Sequence, residues 1–286
     1  MPDGRIVLVG TPIGNLGDLS PRAVETLRSA DLICCEDTRR TRALLASAGV
    51  PAPPLVALHA HNEVAGAARA VGEARGGATV AVVTDAGMPG ISDPGERLVA
   101  AAVEAGVEVT VVPGPTAAAT ALVASGLATD RWCFEGFLPR KGSERAARLR
   151  AVAADERTTI LYESPHRVAA TVADLIEHCG PDRRVALARE LTKLHEEVWR
   201  GRLAGALTRA EEGESRGEWV LVLAGRPPAP EERTDEEIEA ALQALLAAGE
   251  DRKSAVAAVA TRLGVARRRV YDLAVRLKHA PASEDA

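Results

Sequence analysis

The twelve residues TDAGMPGISDPG, 84–95, stand between the apolar run TVAVV (79–83) and the helical pattern ERLVAAAVEAG (96–106). They hold four glycines or alanines, two prolines and two aspartates, a composition that neither a helix nor a strand accommodates. A β-branched apolar run, an irregular turn and a helix, in that order, make half of a βαβ unit. The turn then falls at the carboxyl end of a buried strand, which is where open α/β sheets bind ligands.

The same rhythm extends on both sides. From Arg5 to about Gly126, RIVLVG, DLICCE, PLVALHA, TVAVVTD and VEVTVVPG predict strands. SPRAVETLRSA, TRRTRALLASAG, NEVAGAARAVGEA and DPGERLVAAAVEAG predict helices between them. Ser20-Pro21 and Asp93-Pro94-Gly95-Glu96 carry N-cap and first-turn chemistry, and Gly49 and Gly106 stand where helices should stop. Residues 1–126 therefore read as an α/β domain with a parallel-rich sheet.

From Trp132 the pattern changes. WCFEGF, TTILYES, RVALARE, EVWRGRL and EWVLVLAG predict five strands, against three helices in SERAARLRAVAAD, HRVAATVADLIEHC and LAGALTRAEEG. More strands than helices imply a mixed sheet, so residues 127–225 read as a second α/β domain. RPPAPEER, 226–233, reads as a linker. Residues 234–286 read as a helical module with helices near 234–247, 252–263 and 265–278, the last two joined at Gly264 like a helix-turn-helix.

A chain of 286 residues is long enough for two cores. One uncharged run, Val109–Thr129, approaches the length of a membrane span, but PGP at 113–115 interrupts it. A strand, a turn and a small-residue helix explain it, and a soluble cytoplasmic protein without a membrane partner is expected. Cys34, Cys35, Cys133 and Cys179 form no C-x-x-C pair, so reduced core thiols are expected and no metal site.

Irregular turns follow three predicted strands: GTPIGNLGD (10–18), DAGMPG (85–90) and PGPTA (113–117). Three rigid, small-residue turns on one sheet edge describe a cleft. GTPIGNLG is not G-x-G-x-x-G, and the sequence has no G-x-x-x-x-G-K-[ST] or H-E-x-x-H. Asp85 is placed either to accept hydrogen bonds from a ligand or to cap its own loop. Glu36 and Asp37 stand equally open between a site role and pairing with Arg39 and Arg40.

LVGTPIGNLGDLSPRAVETL, EDTRRT, VTDAGMPGISDPG, VPGPTAAATAL, FEGFLPRKG, YESPHR and ARELTK, taken in order over nearly the whole chain, resemble the small-subunit ribosomal RNA cytidine 2′-O-methyltransferases. These belong to the tetrapyrrole-methylase-like (class III) S-adenosylmethionine enzymes. The resemblance implies a two-domain fold with S-adenosylmethionine held between the domains, and the cofactor contacts Ile13, Asp85, Met88, Thr116, Ala117 and Tyr162. It also implies 2′-O-methylation of a cytidine in the decoding region of 16S rRNA (cytidine 1402), the small ribosomal subunit as partner, and a homodimer.

The activated donor leaves two tasks, alignment, worth about 7–11 kcal/mol, and removal of the hydroxyl proton, worth roughly 10²–10⁴-fold. Glu36, Asp37, Glu163 and Glu190 are candidates for the second task, and Lys193 is one if its pKa is depressed. Arg39, Arg140, Lys141, Arg167 and Arg189 are candidate phosphate contacts, and His166 either touches phosphate or caps a helix.

The charge of the tail is segregated. Residues 231–251 carry eight acids against one arginine, a net −7, and residues 252–278 carry eight bases against one aspartate, a net +7. Arg267, Arg268 and Arg269 open the last helix, where helix-turn-helix modules meet nucleic acid. Two other readings remain: a methylase of a tetrapyrrole precursor, and a DNA-binding regulator with a ligand-sensing domain.

Overall fold

The computed structural model describes residues 4–59, 62–212, 216–227 and 233–277. Its contacts divide the chain into two compact units, Met1–Arg226 and Pro227–Ala286. All ten predicted strands form. The first sheet holds β1 (Arg5–Val9), β2 (Leu32–Cys35), β3 (Leu55–Ala57), β4 (Thr79–Val83) and β5 (Glu108–Val112), in the order β3-β2-β4-β1-β5 with every pairing parallel. Its central strands are buried on both faces, Ile6, Cys34 and Val80 on one and Val9, Ile33 and Ala81 on the other, which is why they read as unbroken apolar runs.

The helices of this half are α1 (Pro21–Ser29), α2 (Thr38–Ser47), α3 (Glu63–Arg75), α4 (Glu96–Glu104) and α5 (Ala117–Ser125). Ser20 caps α1 through the Ala23 amide, with Pro21 in its first turn, as the sequence indicates. The start of α4 differs from the expectation. Its N-cap is Gly95 at φ 142°, and Asp93 makes no cap. Instead Glu63, from the first turn of α3, accepts hydrogen bonds from the Gly95 and Arg97 amides at 2.9 and 3.2 Å. A buried carboxylate from another helix thus satisfies the donors of α4, which leaves Asp93 for other work.

The second sheet runs β6-β7-β10-β8-β9, from β6 (Trp132–Phe137), β7 (Thr158–Glu163), β8 (Arg184–Arg189), β9 (Glu197–Arg202) and β10 (Trp219–Leu223). Only β6 and β7 pair parallel, so the sheet is mixed. Helices α6 (Gly142–Ala154), α7 (Val168–Cys179) and α8 (Leu203–Glu212) accompany it. The uncharged run ends as α5, whose Ala118, Ala121 and Leu122 pack on Ile160, Ala186 and Val222 of the second sheet. Its alanines permit that close approach, so a helix contiguous with the first half in sequence belongs to the second by packing.

The remaining unit is a small bundle of α9 (Asp235–Ala247), α10 (Arg252–Leu263) and α11 (Arg267–Arg276). Ile238, Leu242, Val256, Val259, Val270 and Leu273 form its core. Thr234 and Glu237 build a reciprocal capping box at α9, and Gly264 ends α10 in the left-handed conformation. Most of the predicted linker, together with Glu231, Glu232 and Lys278, lies outside the described residues.

No helix among the described residues is long and apolar enough to cross a membrane. All four cysteines are free, with Cys34 and Cys35 fully buried in β2. Burial first, and then the neighbouring Cys35, push the Cys34 thiol up to about 12, which marks it as an unreactive core group.

Candidate active site

Strands β4, β1 and β5 are neighbours, so the turns that follow them meet at one edge. Thr11 and Gly87 exchange backbone hydrogen bonds, Thr11 N–H to Gly87 O at 2.9 Å and Gly87 N–H to Thr11 O at 3.1 Å. The third turn closes against the first so tightly that a Cβ on Gly10 would lie 2.6 Å from Gly114 Cα. Met88 completes the lock, its sulfur accepting from the Gly114 amide at 3.3 Å. The glycines and prolines of the three turns therefore serve a single interlocked floor.

Above this floor, between the two sheets, lies a cleft of about 330 Å³. Ile13, Met88, Thr116, Ala117 and Tyr162 all line it, which brings five of the six expected cofactor contacts into one place. Tyr162 Oη accepts from the Ala118 amide at 3.1 Å and Thr116 Oγ1 from the Ala119 amide at 3.2 Å, so both fix the start of α5. Phe134 and Phe137 meet the Tyr162 ring edge-on, with centroids 4.8 and 5.7 Å away.

Asp85, the sixth, lines an adjoining hollow of about 350 Å³ that shares Ile13, Ala86 and Glu218 with the cleft. It accepts from the Asp37 amide at 3.1 Å and pairs with Arg40 at 3.2 Å. Arg40 and Lys193 supply positive charge to this hollow. The ARELTK segment reaches it because Gly14 leaves room: a Cβ there would lie 2.5 Å from Lys193 Cγ.

The expected bases are mostly committed elsewhere. Asp37 caps α2, accepting from the Arg39 amide at 2.7 Å, and its carboxyl is held low first by the Arg39 side chain. Glu163 is 2% exposed and accepts from the Ser164 amide and the Thr171 hydroxyl. Glu190 accepts from Lys193 Nζ at 2.8 Å and from the Glu218 amide at 3.0 Å. Burial raises the Glu190 carboxyl, but those hydrogen bonds and the nearby cations outweigh it, and the net shift is downward. Burial likewise pulls the Lys193 ammonium down, and the bonds and charges of Glu190 and Glu218 more than reverse it. Lys193 is thus held protonated, and its place in the site is that of a cation. Glu36 is raised, first by burial and then by the charge of Asp85, and lines neither hollow.

Asp93, expected from its sequence context at a helix cap, lines the cleft instead. Of the carboxylates lining the two hollows, Asp85, Glu163 and Glu218 each have an ion-pair partner, and Asp93 has none among the described residues. Burial, then the charge of Glu36, raise its pKa to about 6 despite a hydrogen bond with Thr84. Its neighbour Ser92 has φ 61°, and the other left-handed non-glycine residues described, Glu190 and Thr192, lie on the loop across the site. Such conformations cost about 1–3 kcal/mol each and gather at functional sites.

The expected phosphate contacts divide. Arg167 donates to the Leu138 carbonyl and pairs with buried Glu163, while Arg189 sits 5.8 Å over the Trp219 ring and pairs with Glu197. Both are structural, their guanidinium groups taken up inside the fold. Arg39 is highly exposed although paired with Asp37, and Arg140 and Lys141 are exposed with no ion pair among the described residues. His166 is exposed. In the helical unit Arg269 bonds Asp235 at 2.7 Å and the Arg233 carbonyl at 2.8 Å, so it is a structural tie, unlike Arg267 and Arg268.

A parallel sheet facing a mixed one across a cleft floored by three interlocked turns is the architecture of one enzyme class, and the chain belongs to it: the tetrapyrrole (corrin/porphyrin) methylase family, whose model matches residues 5–207. Within that family the chain falls among the small-subunit ribosomal RNA methyltransferases. It is 46% identical to the ribosomal RNA small subunit methyltransferase I of Synechocystis, over 96% of this chain and 99% of that one. It is 50% identical to the protein of the same name from Xylella fastidiosa strain Temecula1, over 78% of this chain and 82% of that one. Among solved structures, the uroporphyrin-III-C-methyltransferase of Thermus thermophilus matches with a TM-score of 0.56 and 25% identity, over 77% of this chain and 94% of that one.

Proposed function

We propose that the protein methylates small-subunit ribosomal RNA with S-adenosylmethionine, and that the acceptor is the ribose 2′-oxygen of a cytidine in the decoding region of 16S rRNA. The observation that carries the reading is the cleft, where a cradle of strand-end turns meets Asp93, a carboxylate without an ion pair among the described residues, in a chain so similar to the small-subunit methyltransferases. The cleft suits the cofactor chemically: Ile13, Met88, Ala117 and Tyr162 offer apolar and aromatic surface to an adenosyl group, and acids lie within reach of a sulfonium. When bound, the cofactor supplies a methyl group already activated for transfer. Asp85, Met88, Thr116 and Tyr162 fix the walls, so alignment comes from pre-set loops.

Arg40 and Lys193 in the adjoining hollow hold the acceptor's phosphate, with Arg39, Arg140 and Lys141 as outer contacts. Asp93 accepts the 2′-hydroxyl proton, being the cleft carboxylate with no ion-pair partner among the described residues and a pKa raised to about 6. Transfer of the labelled methyl group from S-adenosylmethionine to isolated small subunits tests the reading, with a tetrapyrrole precursor as the competing acceptor. Label found in the tetrapyrrole and absent from rRNA overturns it. The functional form is read as a homodimer, which light scattering on the purified chain checks.

A further inference from the structure

The helical unit contains a groove of its own, of about 550 Å³, lined by Arg252, Lys253, Val256, Arg267, Arg268 and Tyr271. Four of the six are cations, none is an acid, and none of the four makes a salt bridge among the described residues. The third arginine of the RRR run, Arg269, turns away to Asp235, which separates a structural residue from two unpaired ones. The placement runs against ordinary helix electrostatics. Arg252 and Lys253 open α10 and Arg267 and Arg268 open α11, at the helix ends that already carry partial positive charge. Helix α9 of the same unit begins with Asp235, Glu236 and Glu237, the favourable choice. The Asp251 carboxylate caps α10 through the Lys253 and Ser254 amides and offsets part of that charge, whereas α11 has no side-chain cap, so the anion site is strongest at Arg267 and Arg268.

Tyr271 narrows the ligand. It is 56% exposed, among the large hydrophobic side chains the fold leaves in solvent, and it stands on the groove wall beside buried Val256. An inorganic anion has no use for an aromatic surface. A nucleotide has both a phosphate and a base, and stacking on an exposed ring requires a base that is not already stacked in a duplex. The volume is also that of a pocket for a small organic group, within roughly 300–1,000 Å³.

We infer that this groove binds an unpaired segment of RNA, with one base stacked on Tyr271 and flanking phosphates held by Arg252, Lys253, Arg267 and Arg268. The inference rests on the reading of the protein as a ribosomal RNA methyltransferase, and it makes the helical unit a reader of single-stranded rRNA. A helix-turn-helix acting on duplex is the competing occupant.

The test uses the full-length protein and a fluorescent single-stranded octauridylate, with affinity measured across a salt series, against an RNA duplex of the same length. The single strand should bind more tightly than the duplex. Arg267→Gln with Arg268→Gln should make the log–log salt slope shallower by about 1.4, at about 0.7 per lost single-strand phosphate contact. Tyr271→Leu should weaken binding about tenfold at every salt concentration with an unchanged slope, and Tyr271→Phe should retain it, because stacking needs the ring and not the hydroxyl. Equal or tighter binding of the duplex, or single-strand binding untouched by the double arginine variant or by Tyr271→Leu, overturns the groove while leaving methyl transfer to small subunits standing. Groove-dependent RNA binding in a protein that transfers no methyl group supports the groove and removes the methyltransferase reading.

Discussion

Asp93→Asn is expected to stabilise the protein and disable it in the same step. Burial and the charge of Glu36, with smaller contributions from Asp85 and Glu218, lift the Asp93 carboxyl from 3.8 to about 6. A raised acid binds more protons in the folded than in the unfolded state between those two values. Its contribution to stability therefore declines as pH climbs from about 4 to about 6, and the deficit persists above that. The interval is about two pH units, or about 3 kcal/mol. Partial exposure of the side chain to solvent screens this to about 1–2 kcal/mol. Removing the charge should raise the Tm at pH 7.5 by about 2–8 °C, at about 2–4 °C per kcal/mol for a protein of this size. Near pH 3.5, where the carboxyl is protonated in the folded state and mostly so in the unfolded one, the difference should nearly vanish. Methyl transfer should fall by about 10²–10⁴-fold, and its acidic limb near pH 6 should disappear, while calorimetry still shows binding of S-adenosylhomocysteine. Scanning calorimetry against pH with a methyl-transfer assay decides the matter. A variant that is destabilised at pH 7.5, or that keeps wild-type turnover, would refute the assignment.

Glu63→Ala should cost about 1–3 kcal/mol by leaving the buried Gly95 amide unsatisfied, seen as a lowered urea midpoint, whereas a surface change such as Glu104→Ala should be silent. Tyr162→Phe removes the acceptor for the Ala118 amide, so cofactor affinity should weaken by about 0.5–1.5 kcal/mol in calorimetry; unchanged affinity would separate Tyr162 from the pocket. Cys34 and Cys35, fully buried, should resist alkylation at pH 8 until the protein is unfolded, and mass spectrometry showing rapid native labelling of either would contradict their place in the core. Arg269→Ala should lower the melting temperature of the helical unit, and Arg267→Ala should not.

Much of this fold was legible because period and punctuation agree. The runs RIVLV and TVAVV are buried on both faces and so are continuous in sequence, while Ser20-Pro21, Thr234 with Glu237 and Gly264 mark helix ends by local chemistry. The cleft was legible as three irregular turns, since glycine and proline at strand ends have few other uses. Long-range pairings were not legible. Nothing near Asp93 in sequence announces that Glu63, thirty residues earlier, takes over the capping of α4, so DPGE reads as a cap. Arg167, Arg189 and Arg269 look like Arg140 in a sequence, and only the partners Glu163, Glu197 and Asp235 distinguish a structural guanidinium from a free one. The packing of α5 on the second sheet was likewise hidden, because an alanine-rich helix shows no polar face to reveal which side it buries. Tyr271 carried no signal alone and gains meaning only beside the four cations that surround it.

On the proposed reading, the cleft delivers a methyl group to a ribose hydroxyl of small-subunit rRNA. Small subunits incubated with the protein and S-adenosylmethionine, followed by complete nuclease digestion and nucleoside mass spectrometry, test it directly. The expected result is new 2′-O-methylcytidine, stoichiometric with the subunits and absent when Asp93→Asn replaces the wild-type protein. A methyl group on a base, or no gain in 2′-O-methylcytidine with the wild-type enzyme, would contradict it.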